Sequence, residues 1–239
     1  MSTAPPPQAE QTPDATEFLR LPLATTLRGE LTIKRSRFIA SATRVSSLAA
    51  AREFFAAIRT EFPDARHHCT ALSVMEESIS TPIVRSSDDG EPAGTAGRPM
   101  LGVLHASRLT DVAVVVTRYF GGTLLGTGGL VRAYSDSVRG VLDGAPVLRR
   151  KPARTLRLSA PYAIAGKLEA DLRTHGFDHI ESSYTPSSAT LSIRVSESEL
   201  NVFHSLVAQL TNGALKPHDD GSTYIEIRAG KLALIASGG

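Results

Sequence analysis

The segment GGTLLGTGG, residues 121–129, is the part of the chain best suited to bind a ligand through its backbone. It holds five glycines in nine positions and joins an apolar, β-branched run to a helix-like run. Free N–H groups at a helix start, together with the helix dipole, favour an anion such as phosphate or carboxylate. Arginines stand on both sides and could add positive charge. The candidates are Arg118, Gly121, Gly122, Gly126, Gly128, Gly129 and Arg132.

Two sharper phosphate-binding motifs do not fit this segment. A P-loop requires Lys and then Ser or Thr after its last glycine, whereas Gly126 is followed by the residues TG. A dinucleotide fingerprint requires Gly or Ala where this chain has Val131. The glycines therefore indicate either close approach of an anion or a tight loop with positive φ angles and close packing. Tyr119 and Phe120 could stack on a base or belong to the core.

A second loop, SSDDGEPAGTAG at residues 86–97, places three carboxylates within four positions. Carboxylate oxygens suit a hard cation such as Mg²⁺, but the spacing is not that of a calcium-binding EF-hand loop. Asp-Gly is also typical of turns. The loop could thus hold a metal, form a turn fastened by carboxylate hydrogen bonds, or contact a ligand directly. Its candidates are Asp88, Asp89 and Glu91, followed by Arg98. We expect no metal and no cofactor.

His67, His68 and Cys69 are the residues that could suggest nucleophilic catalysis. In a strand, His67 and Cys69 share one face while His68 points the other way. A cysteine–histidine dyad needs a partner in space, and a lone buried cysteine is typically a small core residue. We therefore assign no catalytic residue.

Basic residues elsewhere widen the set of possible phosphate contacts. The turn KRSR adds Lys34, Arg35 and Arg37, and the run RRKPAR, residues 149–154, indicates an exposed charged linker or a further phosphate contact. The net charge is only +2, so strong nonspecific affinity for nucleic acid is not expected. A single cysteine fits a reducing cytoplasm. No run is long and apolar enough to span a membrane, so we expect a cytoplasmic chain without membrane contact.

Hydrophobic periodicity predicts an α+β chain of two domains after a disordered tail, residues 1–18. Residues 19–148 predict paired strands, a helix ending at Pro63, the buried central strand DVAVVVTRYF and a helix from Gly129 to Leu142. Residues 149–239 predict the order β-α-β-β-α-β, which is the ferredoxin-like pattern.

The two glycine-rich motifs together resemble the signature of the Impact/YigZ family of cytoplasmic proteins. The motifs are SDDGEPAGTAGRP and VTRYFGGTLLGTGGLVRAY, and the resemblance covers roughly residues 20–145. It implies an N-terminal α/β sandwich similar to domain four of elongation factor G. The second half is similar to the ferredoxin-like domain of bacterial members. This chain departs from the family where Thr70, Ala71 and Leu72 replace aromatic residues.

The resemblance implies an association with RNA or the ribosome, because two such domains in this order also occur in elongation factor G. Our first hypothesis is a non-enzymatic regulator of translation, since eukaryotic members are associated with translation control. The alternative is an enzyme that acts on a small phosphorylated or carboxylated metabolite at the glycine-rich loop. On either hypothesis we predict that the two loops lie side by side, since each precedes a helix whose N-terminus could face one ligand.

Overall fold

The computed structural model describes residues 18–75 and 81–234, so the predicted disordered tail lies outside the described residues except for Phe18. The described chain is α+β and divides into two units. One contains the residues up to Arg149 and those from Arg228 onward, and the other contains Arg150–Ile227. The C-terminal domain was predicted to cover residues 149–239, whereas the residues from Arg228 onward belong to the first unit.

The elements follow one another in an order close to the predicted one. Those before the second unit are β1 (Leu19–Arg20), β2 (Thr26–Ile33), β3 (Ser36–Arg44), α1 (Leu48–Glu61), β4 (His67–Val74), β5 (Ile83–Ser87), α2 (Gly97–Ala106), β6 (Val112–Tyr119) and α3 (Gly126–Leu142). The rest are β7 (Pro146–Ala160), α4 (Tyr162–Thr174), β8 (Ile180–Tyr184), β9 (Ala189–Ser196), a 3-10 turn (Glu197–Glu199), α5 (Leu200–Leu210) and β10 (His218–Lys231).

A five-stranded antiparallel sheet in the order β2-β3-β6-β4-β5 forms the centre of the first unit. The apolar strand β6 lies in the middle and is buried on both faces, which confirms the prediction for DVAVVVTRYF. Val114 and Val116 pack on the side of α2 and α3, whereas Ala113 packs on the side of α1. Helices therefore cover both faces of the sheet.

Local signals account for the bounds of α1. The Ser47 hydroxyl accepts a hydrogen bond from the N–H of Ala50 at 3.1 Å, which is an N-cap. Ala51 and Ile58 are buried on the face toward the sheet. The helix ends just before Pro63, because proline cannot supply the N–H that the next turn requires.

The helix after the glycine-rich segment starts earlier than predicted. α3 begins at Gly126 rather than Gly129, so Gly128 and Gly129 lie in its first turn and not in a loop. Glycine weakens a helix but does not prevent one, and the apolar stripe from Leu130 to Leu142 holds the helix on the sheet.

The basic run RRKPAR, residues 149–154, lies within the long strand β7, so the prediction of an exposed linker was wrong. Two of its charges have partners: Arg150 lies 3.7 Å from the ring centroid of Tyr224, and Arg154 forms an ion pair with Asp219. Pairing with neighbouring strands, and alternate burial from Leu156 to Ala160, outweigh the charge and proline content that suggested a linker.

The second unit has the predicted ferredoxin-like order. β9 lies between β7 and β8 with antiparallel pairing to both, and β10 pairs with β7. Its core joins α4 and α5 to one face of the sheet, for example through Leu172 and Phe203 against Leu158 and Ile193. No helix among the described residues is long and apolar enough to cross a membrane.

Candidate functional site

The Asp88 carboxylate fastens the first loop to the start of α2. It accepts hydrogen bonds from the backbone N–H groups of Gly94, Ala96 and Gly97 at 2.8 to 2.9 Å. Burial opposes ionisation of this carboxyl, but the three N–H donors outweigh it and lower its pKa. Asp88 therefore acts as the cap of a helix that has no other side-chain cap.

We expect Asp88→Ala to lower the free energy of unfolding by about 1–2 kcal/mol at pH 7, as loss of a helix cap does. A carboxyl whose pKa is lowered by folding stabilises the protein above its unfolded pKa. The difference between wild type and variant should therefore shrink as the pH falls below about 4. Urea unfolding across pH 3–7 measures this.

Asp64→Ala, which removes an exposed carboxylate, is the matched control and should show little change. A difference that stays constant with pH contradicts the assignment.

The Asp89 carboxylate joins the same loop to α1 and β4. It accepts hydrogen bonds from Arg59 at 2.8 Å and from the N–H of His68 at 2.6 Å. Its backbone has a positive φ of 43°, and its carbonyl contacts Nδ1 of His67 at 2.8 Å. Burial opposes ionisation here too, but these donors lower the pKa. Asp89 is therefore engaged within the fold.

Glu91 is buried and connects the two motifs. Its Oε1 accepts hydrogen bonds from Arg118 at 2.6 Å and from the Tyr134 hydroxyl at 2.8 Å. Arg118 lies near the end of β6 and Tyr134 lies on α3, so the two residues flank the glycine-rich segment. Glu91 therefore connects the first loop to the residues on either side of the glycine-rich segment. That the two loops themselves lie side by side stays a prediction.

The expectation that Arg118 contacts phosphate is corrected by its burial. Its side chain is 6% exposed, and its guanidinium is paired with Glu91 and lies over the rings of Phe38 and Phe120 at 5.3 and 5.6 Å. A desolvated arginine in a buried ion pair cannot leave it cheaply for a ligand. Sequence position next to the glycines could not reveal this partner.

Cys69 lies in the same buried group. Its thiol donates to the Asp88 carbonyl at 3.0 Å and lies 3.3 Å from the Tyr134 hydroxyl. Burial raises the pKa of Cys69 to about 12, and burial together with the neighbouring thiol and carboxylate raises the pKa of Tyr134. A thiol held in its neutral form is a poor nucleophile, which fits the expectation of a core cysteine.

Some glycines of the segment are required by the backbone of the protein itself. A Cβ built on Gly121 would lie 2.0 Å from the carbonyl carbon of Arg35, and the Gly121 N–H donates to the Ser36 hydroxyl at 3.2 Å. Gly122 and Gly126 have φ angles of +82° and +72°, which are unfavourable for other residues. Gly128 is different, because a Cβ added there would meet no other group within 4 Å and its φ is not positive. The space above the Gly128 backbone is therefore open to an incoming group.

The start of α3 has unsatisfied donors and no local negative charge. It has neither a side-chain cap nor an acidic residue in its first turn, so its first N–H groups lack intrahelical acceptors. Arg132 is exposed and forms no ion pair or hydrogen bond with another described residue. Arg35 donates to the Thr123 hydroxyl at 3.0 Å, which holds the β2–β3 turn, with Lys34, against the segment. We name this surface, formed by residues 34–35, 120–129 and 132, the α3 surface.

The remaining predicted residues divide between this surface and other contacts. Phe120 is 41% exposed and packs on Arg118. Arg37 forms an exposed ion pair with Glu30 at 2.8 Å and lies over the Tyr119 ring, so both Arg37 and Tyr119 have partners within the fold. Arg98 is exposed on the first turn of α2. Thr123 and its contact with Arg35 were missed, because only the fold brings the β2–β3 turn to the glycines.

The described residues contain no group of three or more histidine, cysteine, aspartate or glutamate side chains placed to hold a metal ion. The carboxylates of the first loop are instead hydrogen-bonded to backbone N–H groups, Arg59, Arg118 and Tyr134. Of the three interpretations of this loop, the turn held by carboxylate hydrogen bonds is the one its contacts support.

Comparison with known proteins places the chain among relatives of matching length. The Impact N-terminal domain matches residues 34–142, and a domain of unknown function, DUF1949, matches residues 158–214. The chain is 42% identical to the IMPACT family member YvyE of Bacillus subtilis, covering 82% of this chain and 89% of that one. It is 38% identical to the IMPACT family member YigZ of Escherichia coli, covering 77% and 89%.

A solved structure extends the match to three dimensions. The crystal structure of a hypothetical protein is 35% identical, covers 84% of this chain and 96% of that chain, and superposes with a TM-score of 0.56. The shared motifs, the two matching domains and the coverage of both chains agree. The chain belongs to the Impact family.

Proposed function

We propose that this chain is a cytoplasmic, non-enzymatic protein that binds RNA backbone, on the ribosome or free, through the α3 surface and acts in the control of translation. The observation that carries the proposal is the uncapped start of α3 beside exposed basic side chains. Helix N-termini with free N–H groups bind phosphate, and Lys34, Arg35 and Arg132 supply the positive charge. The role in translation rests on family membership, because other members are associated with it.

The form of RNA that suits this surface is unpaired. Phe120 offers a partly exposed ring beside the glycines, and Leu124 is 82% exposed. Base stacking on an aromatic ring is tolerant of sequence, and phosphate contacts carry no sequence information. We therefore expect binding with little sequence preference and a strong dependence on salt.

The enzymatic alternative receives less support from the same residues. Cys69 is a buried neutral thiol, and Glu91 and Asp88 are occupied by hydrogen bonds that hold the loop. A nucleophile or general base must reach a substrate atom. These groups face one another inside the unit instead.

We expect Arg132→Ala to weaken binding to unstructured rRNA fragments about equally for all sequences. The slope of log K against log salt should fall by about one phosphate contact. Gly128→Val should weaken binding further, because its side chain would keep phosphate from the backbone, whereas the fold leaves space for it. Fluorescence titrations at several salt concentrations, and co-sedimentation with ribosomes, measure this.

Arg85→Ala is the matched control, because Arg85 is exposed on the edge strand β5, whereas α3 packs on β2 and β3. It should bind like wild type. Absence of binding by wild type at low salt contradicts the proposal, and so does unchanged binding by folded Arg132→Ala and Gly128→Val.

A further inference from the structure

A groove runs between α1 and the edge strand β5, away from the α3 surface. β4 forms its floor with Thr70 and Leu72, and α1 forms one wall with Leu48, Arg52 and Phe55. Arg85 and Ser87 of β5 form the other wall, and the groove has a volume of about 200 Å³. α1 packs over β4 and β6, so the groove remains open toward β5.

The outer edge of β5 has no partner strand among the described residues, while α2 packs on β5 and Gly97 lies close to the Ser87 backbone. β5 ends the sheet and pairs with β4 alone among the described strands. An edge strand presents unpaired N–H and C=O groups that can accept another strand. A groove between a helix and such an edge is the setting in which an extended peptide adds a strand and inserts alternate side chains.

The register of β5 fixes which side chains meet the groove. Thr70 pairs with Ser87 and Leu72 pairs with Arg85, so Arg85 and Ser87 share the face of the sheet that α1 covers. On an added strand, side chains two positions apart point to that same face. Two successive inward side chains of a bound peptide therefore stand beside Arg85 and Ser87, one strand spacing outside the wall that these residues form.

The chemistry of the groove selects what those two side chains are. Leu48 and Phe55 of α1 provide an apolar surface for one of them. Arg52 and Arg85 are both exposed, and neither forms an ion pair or hydrogen bond with another described residue. No acidic residue is among the described residues that line the groove. The second side chain is accordingly a carboxylate.

We propose that this groove binds an extended acidic peptide of a partner protein, which adds a strand to β5. On the face that α1 covers, the peptide places an aspartate or glutamate beside Arg85 and Arg52 and, two positions along, an apolar side chain beside Ser87, directed toward Leu48 and Phe55 of α1. This surface is separate from the α3 surface, so the protein could hold RNA and a protein partner at the same time.

The probe is a set of three capped, fluorescent ten-residue peptides tested on the full chain by anisotropy. The first peptide has threonine at every other position, and leucine and glutamate take the positions between by turns. The second peptide has lysine in place of each glutamate. The third is the first peptide with N-methyl groups on alternate amides. We expect the first to bind, and each of the others to bind at least about tenfold more weakly. The lysine peptide tests charge, and the methylated peptide tests strand pairing.

Protein variants separate this site from the proposed RNA surface. Arg52→Glu and Arg85→Glu should each lower the affinity for the glutamate peptide at least about tenfold. Arg85→Glu should raise the affinity for the lysine peptide. Arg132→Ala is the matched control and should bind the glutamate peptide like wild type. RNA titration of Arg52→Glu should match wild type, so failure here and failure of the RNA proposal are distinguishable.

Four outcomes overturn the proposal. One is that the glutamate peptide does not bind, or binds no more tightly than the lysine peptide. Another is that Arg52→Glu lowers RNA affinity, which assigns the groove to RNA instead. The third is a concentration-dependent dimer that Arg52→Glu abolishes, which assigns the groove to a second copy of the chain. Equal binding of the methylated peptide overturns strand addition.

Discussion

Replacing Glu91 by alanine is expected to lower the free energy of unfolding of the first unit by about 3–5 kcal/mol. The change leaves the Arg118 guanidinium buried without its carboxylate and removes the acceptor of the Tyr134 hydroxyl. A buried charge that loses its partner costs far more than the pair itself contributes. This is the largest single-residue effect we expect from an electrostatic contact in the unit.

The single cysteine makes the measurement specific to one unit. Cys69 is fully buried beside Tyr134, so a thiol reagent reaches it only when the first unit opens. Labelling in increasing urea gives the stability of that unit even if the two units unfold separately. Asp136→Ala, which breaks the half-exposed pair with Arg139, is the matched control and should cost about 0.5 kcal/mol or less.

A second variant tests the cause of the loss. Glu91→Leu combined with Arg118→Met removes both charges, and it should be less destabilising than Glu91→Ala alone, because apolar side chains can replace a buried pair. If Glu91→Ala costs less than about 1 kcal/mol, or if the double variant is worse, the ion pair does not hold the motifs together.

Periodicity in the sequence predicted the elements that burial alone determines. The uniform apolar run of β6 and the stripe of α3 are patterns that do not depend on what lies across the sheet. The prediction of a linker at RRKPAR failed because the arginines of this run contact residues of β10. Arg154, for example, binds Asp219, which is 65 residues away in sequence. No local pattern carries that information.

The candidate site was predictable as a set of motifs but not as a set of roles. Arg118 and Arg132 flank the glycines alike in sequence. One is buried against Glu91, and the other is exposed without a partner among the described residues. The difference arises because Arg118 lies on the face of β6 that packs toward α2 and α3. Tyr134 could have been suspected, since a buried tyrosine on an apolar stripe needs a partner for its hydroxyl.

The second large effect is expected from Gly121→Val. The segment approaches the β2–β3 turn so closely that a Cβ on Gly121 would lie 2.0 Å from the Arg35 carbonyl carbon and 2.4 Å from the Ser36 nitrogen. Both are backbone atoms, so no side-chain rotation relieves the overlap. The turn must move away from the segment, which also breaks the hydrogen bond from Gly121 to Ser36.

We expect Gly121→Val to cost about 3 kcal/mol or more, at the upper end of the range for overpacking, as measured by Cys69 labelling in urea. Gly128→Ala is the matched control within the same glycine-rich segment, because its Cβ would meet nothing within 4 Å. It should stabilise α3 by about 0.5–1 kcal/mol, since alanine is the better helix former. Equal stability of the two variants would contradict the conclusion that Gly121 is required by close packing whereas Gly128 is not. Opposite signs would establish that Gly121 is required by the chain's own backbone, whereas the space above Gly128 is left open.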